Sequence, residues 1–397
     1  MKLMKLGVAL VGVALAVGMS ACGKTPATST TGAPAPNTTS AAVPATSTTS
    51  AGVPASSATG GAGAMIGISM PTTTLERWNN DGAHLKDLLE KAGYKTDLQF
   101  ADNKTDVQIS QIQNMINENA KVLVIAAIDG TTLGQVLATA AAAGIKVIAY
   151  DRLINGTDNV DYYATFDNYG VGKLQGTYIE ETLKLKGGAK GPFNLETFAG
   201  SPDDNNAKMF FAGAYDILKP YIDSGVFVCP SGKCPASNDK WTDIGIQGWD
   251  TTKAQAEMEN RLNSFYSGGK KVDVVLSPND SLALGIEQAL DGAGYKVGTD
   301  WPIVTGQDGD KANVQNIIDG KQAMTVWKDT RTLGDQVAKM VDQILKGTTV
   351  EVNDTKTYDN GKKVVPSYLL TPQVVTKDTV NLLFDSGFYK KTDFKGV

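Results

Sequence analysis

Short apolar runs alternate with amphipathic helical patterns along most of this chain, and this alternation restricts the possible folds more than any other feature. Residues 122–128 form a continuous apolar run, which is typical of a parallel strand covered on both faces. Earlier in the chain, Leu85, Leu88, Leu89 and Ala92 recur at helical spacing. Repeated strand–helix–strand units favour parallel sheets with helices on both faces.

A recurring junction supports this interpretation. It reads Ala92-Gly93-Tyr94-Lys95, Ala143-Gly144-Ile145-Lys146 and Ala293-Gly294-Tyr295-Lys296. A glycine just after a helix readily adopts the left-handed conformation that closes the helix C-terminus. We therefore expect each junction to end a helix in a glycine cap and to lead directly into a strand.

The alternating pattern occurs twice. The first run predicts a strand from Tyr94-Lys95 and strands at residues 66–70, 122–128 and 146–150. The second run, after about Asn168, predicts strands at residues 193–198, 244–248, 272–276, 303–305 and 324–327. It also predicts helices at residues 206–218, 252–265, 281–293, 312–318 and 333–345. A chain of this length exceeds what one compact core usually serves, so we predict two doubly wound parallel-sheet lobes.

The N-terminus has the order of a secretory signal. Lys2 and Lys5 precede a charge-free apolar stretch over residues 6–19. The word Met19-Ser20-Ala21-Cys22 resembles a bacterial lipobox, although Leu is the usual residue at the position of Met19. We predict a signal peptide over residues 1–21 and lipidation of Cys22. The alternative is an ordinary signal peptide cut nearby, with Cys22 incidental.

A low-complexity segment follows Cys22. It is almost entirely Ala, Ser, Thr, Pro and Gly, and Lys24 carries its only charge up to about Gly63. Such a segment buries too little apolar area to offset its ordering entropy. We predict a disordered tether over residues 22–64 between the lipid anchor and the folded part.

Composition excludes several classes of function. The net charge is −5 without a basic block, so we expect no nucleic-acid partner. The only histidine, His84, argues against a histidine-based metal site or triad, and we expect neither a metal nor a cofactor. Cys229 and Cys234 in an exported chain predict a disulfide, and their spacing is wider than that of a redox Cys-x-x-Cys motif.

Polar and aromatic side chains follow nearly every predicted strand. In open parallel sheets, ligands bind beyond the carboxyl ends of the strands, so these residues are the candidate site. They are Arg77-Trp78, Asp151-Arg152, the run from Ser201 to Asn206, Trp249-Asp250, Asn279-Asp280, Gln307-Asp308 and Lys328-Asp329.

This mixture of side chains suits a sugar. Carboxylates, amides and cations satisfy hydroxyl groups, which both donate and accept hydrogen bonds. The apolar C–H faces of a sugar ring pack on indoles such as Trp78 and Trp249. The alternative for a single Asp or Asn at a strand end is a helix N-cap, which we expect of Asp280 or Asp129. Capping does not explain three cations and two tryptophans at the same set of strand ends.

These residues lie in words that resemble a known family. The words are Glu76-Arg77-Trp78, Ala149-Tyr150-Asp151-Arg152, Tyr163-Ala164-Thr165-Phe166-Asp167-Asn168, Gly200-Ser201-Pro202-Asp203-Asp204-Asn205-Asn206, Gly306-Gln307-Asp308 and Asn353-Asp354-Thr355-Lys356-Thr357-Tyr358. Over about residues 65–389 the chain is similar to the type I periplasmic binding proteins. Within that family it resembles the xylose-binding and multiple-monosaccharide-binding branch.

The resemblance implies two lobes joined by three crossover segments, with a sugar between them. The first lobe would comprise residues 65–167 and about 329–365, and the second residues 168–328 and about 366–397. Hinges are expected near Asp167-Asn168, Asp308 and Lys328. The implied hydrogen-bonding residues are Arg77, Asp151, Arg152, Asn206, Asn279, Asp308 and Lys328, and the implied stacking residues are Trp78 and Trp249. The Cys229–Cys234 segment and the tether are departures from the family pattern.

The resemblance also implies partners and a location. The expected ligand is a pentose or hexose such as xylose, arabinose, galactose or glucose. The expected partners are the membrane subunits of an ABC importer, and the membrane itself through the lipid anchor. We expect a monomer on the extracytoplasmic face of the cell membrane.

The sequence bears on three alternative functions. A transcription repressor of this fold would need an N-terminal helix-turn-helix where the signal and tether lie. An enzyme is disfavoured because no GxSxG, HExxH or GxxxxGK[ST] motif occurs, and Asp203-Asp204 reads better as a capping loop than as a general acid/base pair. A sugar sensor for a chemoreceptor or signalling partner stays an open alternative.

Overall fold

The computed structural model describes residue 61 and residues 63–397. The predicted signal peptide, Cys22 and nearly all of the predicted tether lie outside these residues and stay predictions. Within the described part of the chain, no helix has the length and apolar character needed to cross a bilayer.

Strands and helices alternate along the first part of the described chain. They are β1 (Met65–Met70), α1 (Glu76–Lys91), β2 (Lys95–Phe100), α2 (Thr105–Asn117), β3 (Val122–Ile125), α3 (Gly134–Ala142), β4 (Lys146–Tyr150) and β5 (Tyr162–Phe166). The four strands predicted in this region are present, and β5 was not predicted.

The alternation continues after β5. The elements are α4 (Asn168–Thr182), β6 (Phe193–Thr197), α5 (Asn205–Asp223), β7 (Phe227–Val228), α6 (Thr251–Phe265), β8 (Val274–Leu276), α7 (Asp280–Gly292), β9 (Ile303–Val304), α8 (Lys311–Asp319) and β10 (Met324–Trp327). The chain then forms α9 (Thr330–Leu345), β11 (Ser367–Leu370), β12 (Gln373–Thr376) and α10 (Asn381–Asp385).

These strands form two separate parallel sheets. A six-stranded sheet has the order β11-β5-β4-β3-β1-β2, and a four-stranded sheet has the order β7-β6-β8-β9. Every pair within these two sheets is parallel. The antiparallel pair β10-β12 adjoins the second sheet through a bridge between Gln307 and Val326. The predicted fold class, two doubly wound lobes, is confirmed.

The lobe that contains the six-stranded sheet is called the first lobe, and the lobe that contains the four-stranded sheet is called the second lobe. Three short crossovers connect them. They are Asp167, residues 328–329 and residues 371–372. Because β11 pairs with β5, residues 367–370 belong to the first sheet, a few residues beyond the boundary expected near 366. Asp308, expected near a hinge, instead lies inside the second lobe between β9 and α8.

The buried strand β3 shows why a continuous apolar run predicts this architecture. All four of its residues are buried. Leu123 and Ile125 pack in one apolar cluster with residues of α2 and α3, whereas Val122 and Val124 pack in another with residues of α1 and α9. A strand with helices on both faces must be apolar at every position, since successive side chains point to opposite faces.

The three predicted glycine caps are confirmed. Gly93, Gly144 and Gly294 have φ of 91°, 73° and 84°. In each case the residue after the glycine donates its backbone N–H to the carbonyl five residues upstream, as in the bond from Tyr94 to Leu89 at 3.0 Å. The predicted strand entry is wrong at the third junction. There Lys296 begins a turn that Asp300 closes by accepting from its backbone N–H, and β9 starts only at Ile303.

The strand predicted over residues 244–248 is also wrong. This segment forms short 3-10 turns at Asn238–Ile244 and Gln247–Trp249, with a single bridge between Ala199 and Gly245. Gly248 has φ of 76°, which interrupts extended backbone and turns the chain so that Trp249 faces inward. Nearby, Cys229 and Cys234 are paired as a disulfide, with their Cα atoms 6.0 Å apart.

Candidate functional site

A cavity lies between the two lobes, at the carboxyl ends of strands from both sheets. Its empty volume is about 300 Å³. All nine residues that the sequence predicts for the site line this one cavity. The full lining is Leu75, Arg77, Trp78, Asp151, Arg152, Asp204, Asn206, Phe210, Trp249, Asn279, Gln307, Asp308 and Lys328.

Arg77, in the first turn of α1, connects carboxylates of both lobes. Its guanidinium donates to Asp81 at 3.0 and 3.1 Å and to Asp151 at 2.9 Å, both in the first lobe. It also donates to Asp308 of the second lobe at 3.3 Å. Burial alone lowers the pKa of Arg77, but Asp151, Asp81 and Asp308 together raise it well above its ordinary value. Arg77 is therefore a permanent cation that links the lobes.

Asp151 directly follows β4 and has φ of 58°, the left-handed conformation that Asp tolerates better than most residues. Its backbone carbonyl accepts from Asn206 at 2.8 Å, from Tyr163 at 2.7 Å and from Thr165 at 2.9 Å. Burial raises the pKa of its carboxyl, but Arg77, followed by Lys328 and Arg152, lowers the pKa to a net value below the ordinary one. Asp151 is thus an ionised acceptor held by contacts from both lobes.

Lys328 lies in the second crossover and completes a chain of charges. Its Nζ is 3.0 Å from Asp308 Oδ1 and 3.8 Å from Asp151 Oδ2. Because Arg77 contacts the same two carboxylates, four buried charges alternate in sign across the gap between the lobes.

A second interlobe pair joins Arg152 to Asp204. Arg152 Nε lies 3.0 Å from Asp204 Oδ2, and its Nη1 donates to the carbonyl of Ala127 at 3.1 Å. Trp249 Nε1 donates to the same Asp204 oxygen at 3.2 Å. Burial raises the pKa of Asp204, and Arg152 offsets part of that rise.

The two predicted stacking residues have different surroundings. Trp78 is buried, with the guanidinium carbons of Arg77 and Arg152 at 4.3 and 5.2 Å from its ring centroid. Trp249 lies against the backbone of Gly200, where a Cβ would overlap its ring. The structure brings both indoles to the cavity, and the stacking of a sugar on them stays a prediction.

Helix capping accounts for part of the set, although not where it was expected. Asn279 Oδ1 caps α7 by accepting from Leu282 at 3.1 Å, and Asp204 Oδ1 caps α5 by accepting from Asn206 at 2.9 Å. Asp280 does not cap its helix, because its carboxylate accepts from the backbone of Gly309 and Asp310. Asp129 likewise accepts from Thr131 within a turn rather than capping α3.

Four lining residues were not among the predicted site residues: Leu75, Asp204, Phe210 and Gln307. Asp204 and Gln307 lie in the polar segments that follow predicted strands, and that position is the sequence signal that points to them. Phe210 lies four residues after Asn206 on the same helix face, which the helical period predicts. Leu75 precedes α1 and gives no such signal.

The charges that line the cavity balance. They are three cations, at Arg77, Arg152 and Lys328, and three carboxylates, at Asp151, Asp204 and Asp308. A cavity without net charge and with many donors and acceptors fits a neutral, hydroxyl-rich ligand better than an ion. In the part of the chain that the structure describes, no group of three or more His, Cys, Asp and Glu side chains is arranged to hold a metal ion.

The comparison with known families agrees with this geometry. A model described as the periplasmic binding protein domain matches residues 66–349. The chain belongs to the periplasmic binding protein family. The predicted type I family and its multiple-monosaccharide branch are confirmed by the relatives of this periplasmic binding protein.

Two curated relatives illustrate that branch. The chain is 52% identical to the multiple sugar-binding periplasmic protein SbpA of Azospirillum brasilense over 334 residues. This aligned region covers 83% of this chain and 91% of the relative. It is 38% identical to the D-xylose-binding periplasmic protein of Escherichia coli K12 over 329 residues. This aligned region covers 83% of this chain and 92% of the relative.

Solved structures are similar over the same region. An ABC transporter solute binding protein from Clostridium phytofermentans with bound β-D-glucose is 53% identical, with a TM-score of 0.79, over 83% of this chain and 99% of that chain. A carbohydrate transporter solute binding protein from Chloroflexus aurantiacus in complex with D-glucose is 37% identical, with a TM-score of 0.74, over 83% of this chain and 98% of that chain.

Proposed function

We propose that this chain is an extracytoplasmic substrate-binding protein that captures a monosaccharide between its lobes and delivers it to an ABC importer. The observation that carries the proposal is the charge-balanced interlobe cavity, where three cations, three carboxylates and two indoles converge. Its relatives support the same ligand class, since two solved structures contain bound glucose and another relative is named for D-xylose.

The chemistry of the cavity suits sugar hydroxyls. Each hydroxyl inserted between a cation and a carboxylate accepts from the one and donates to the other, so both ions keep a partner. Hydrogen bonds to charged groups contribute about 1.5–3 kcal/mol each.

We assign the roles accordingly. Seven residues hydrogen-bond the hydroxyls: Arg77, Asp151, Arg152, Asn206, Asn279, Asp308 and Lys328. Trp78 and Trp249 contact the apolar ring faces. The protein binds without turnover, and a glycoside-hydrolysis assay is expected to show no product.

Binding is coupled to closure of the lobes. The Arg77–Asp308 and Arg152–Asp204 pairs and the Asn206–Asp151 hydrogen bond all cross the gap, and opening separates them. A sugar that contacts both lobes favours the closed form because it gains its full set of contacts only there. The three short crossovers are the segments that bend.

The expected location follows from the N-terminal prediction. Cys22 carries the lipid anchor, and the tether gives the monomeric binding domain reach to importer subunits in the same membrane.

The proposal is tested by thermal unfolding and calorimetry of the purified chain with D-glucose, D-galactose, D-xylose and L-arabinose. A ligand present at 100 times its Kd adds about 2.7 kcal/mol of stability, so at least one sugar should raise Tm clearly. Small-angle scattering should show compaction with that sugar. Sucrose at the same concentration is the control for non-specific stabilisation. Absence of saturable heat with any monosaccharide would count against the proposal.

A further inference from the structure

The last residues of the chain lie against segments that adjoin the cavity. Three positions that they contact are sequence neighbours of charged cavity residues: Glu76 beside Arg77, Gly309 beside Asp308, and Trp327 beside Lys328. We call residues 381–395 the C-terminal segment. None of these residues lines the cavity itself, so the segment can act on the site only through such neighbours.

The C-terminal segment is anchored on the second lobe. Leu383 and Phe394 belong to a buried apolar cluster that also contains Val314 of α8. Lys395 donates its backbone N–H to the side chain of Gln315, on the same helix, at 2.8 Å, and its carbonyl accepts from that side chain at 3.1 Å. When the lobes separate, the segment therefore moves with α8 and the second lobe.

Two side chains of the first lobe reach this segment. Arg331, at the start of α9, donates from Nη1 to the carbonyl of Ser386 at 3.2 Å, and its guanidinium carbon lies 5.2 Å from the ring centroid of Phe388. Glu76, at the start of α1, has its Oε1 3.4 Å from the hydroxyl oxygen of Tyr389. The C-terminal segment thus joins the two lobes outside the cavity.

The hydroxyl of Tyr389 reaches both lobes at once. It donates to the backbone carbonyl of Gly309 in the second lobe at 3.0 Å and lies within reach of Glu76 in the first lobe. Burial raises the pKa of this hydroxyl well above its ordinary value, and the carboxylates of Glu76, Asp310 and Asp280 raise it further. The hydroxyl therefore keeps its proton and remains a hydrogen-bond donor.

We propose that Tyr389 is a positioning residue, which holds the segments of Arg77 and Asp308 at their closed separation and so favours the sugar-bound form without touching the sugar. This inference rests on the proposed monosaccharide-binding function. It predicts that Tyr389 contributes to affinity by the same factor for every sugar that binds. A residue that contacts no ligand group acts on the closed form as a whole and does not distinguish one pattern of hydroxyls from another.

The test replaces Tyr389 by phenylalanine, which removes the hydroxyl but keeps the edge-to-face contacts of the ring with Phe388 and Phe394. Calorimetry on the whole chain with D-glucose, D-galactose, D-xylose and L-arabinose should give a Kd about three- to tenfold higher for each sugar that binds. Stopped-flow measurements should assign the change to faster dissociation, since the contact across the gap is made only in the closed form.

Tyr178→Phe is the matched control. The Tyr178 hydroxyl also donates to a backbone carbonyl, that of Ala323 at 3.1 Å, but both of these residues belong to the second lobe. Tyr178→Phe and Tyr389→Phe should therefore lower Tm by similar amounts, whereas only Tyr389→Phe should lower the affinity for sugar. This difference separates a role in closure from a general loss of stability.

Three results would overturn the inference: unchanged affinity in Tyr389→Phe, a loss limited to some of the sugars that bind, or an equal loss in Tyr178→Phe. Failure of the proposed function looks different, since the wild-type chain would then bind none of the sugars. Tyr389 is in that case tested without ligand, by hydrogen exchange of the Lys311 amide, which donates to Glu76 across the gap at 3.2 Å. Faster exchange in Tyr389→Phe than in Tyr178→Phe would support the positioning role, and equal exchange would overturn it.

Discussion

At the scale of single residues, the site depends on buried carboxylates that differ in their partners. Asp151 is surrounded by cations, whereas Asp280 is fully buried without one in contact among the described residues. Instead, the Asp280 carboxylate accepts from Gly309 and Asp310 backbone N–H groups at 2.9 Å and from Gln322 at 2.7 Å. These bonds hold the loop that carries Asp308, so Asp280 acts on the site through that loop.

Asp151→Asn should fold and lose the sugar-induced rise in Tm. Asparagine tolerates the left-handed backbone at this position, but it removes the negative charge between Arg77 and Lys328. Arg77 retains Asp81 and Asp308, so we expect a loss of about 1–3 kcal/mol in unfolding free energy, measured by denaturant titration. Asp87→Asn is the control, since its pair with Lys91 is exposed and should contribute little. An unchanged Tm response to sugar in Asp151→Asn would remove Asp151 from the site.

Asp280→Asn should weaken sugar binding although Asp280 does not line the cavity. The NH2 group of asparagine faces groups that themselves donate hydrogen bonds, so part of the Asp280 hydrogen bonding is lost. The loop around Asp308 is then held less firmly. We expect a lower affinity and faster amide hydrogen exchange at Gly309 and Asp310. Asp291→Asn, on the exposed face of the same helix, should change neither quantity. Wild-type affinity in Asp280→Asn would show that the loop keeps its position without these bonds.

At the scale of elements, one helix of each lobe meets the other across the gap. Glu76, at the start of α1, accepts from the backbone N–H of Lys311 at the start of α8 at 3.2 Å. The first lobe thus supplies a cap for a second-lobe helix whose own N-cap residue, Asp310, makes no side-chain capping bond. This contact lies outside the cavity and is lost when the lobes separate, so it favours closure without touching ligand.

Glu76→Ala should lower sugar affinity by accelerating dissociation. Loss of a helix cap costs about 0.5–2 kcal/mol, and an exposed contact belongs at the low end, which corresponds to a two- to fivefold effect. Glu76→Gln is the matched control, because its amide oxygen still accepts from Lys311. Stopped-flow dissociation rates distinguish the two variants. Equal rates for Glu76→Ala and the wild-type chain would show that the cap does not contribute to closure.

At the scale of the whole molecule, stability should depend on pH through a buried carboxyl that does not line the cavity. Glu287 of α7 is almost fully buried, and burial raises its pKa from 4.5 to about 8, although Asn316 and Lys321 lower it in part. The folded state therefore holds a proton on Glu287 that the unfolded state releases above its ordinary pKa. The stability this provides is present at low pH and is lost as pH rises from about 4.5 to about 8.

Glu287→Gln should flatten this dependence. One proton corresponds to at most about 1.4 kcal/mol per pH unit, so the wild-type unfolding free energy should fall more steeply than that of the variant between pH 5 and pH 8. Urea titrations at several pH values measure both slopes. Glu259→Gln, an exposed position on α6, should keep the wild-type slope. Parallel slopes for Glu287→Gln and the wild-type chain would contradict the assignment.

The sequence alone predicted most of the strands and helices and nine of the residues that line the cavity. Apolar runs such as 122–128 must be buried on both faces, the glycines at 93 and 144 must cap helices, and strand ends must meet at one sheet edge. All nine predicted residues line one cavity, four of them from the first lobe and the rest from the second lobe and the crossover at Lys328. The local pattern gave a wrong prediction near Gly248. The positive φ of this glycine turns the chain, so the run predicted as a strand forms turns instead.

Only the tertiary structure decided the partners. The sequence places Arg77 and Asp308 in the segments that follow their own strands, but the 3.3 Å contact between them depends on how the two sheets face each other. The same holds for the Arg152–Asp204 pair and for the cap from Glu76 to Lys311. Periodicity describes each lobe separately, and the contacts that join lobes are set by their packing through three short crossovers.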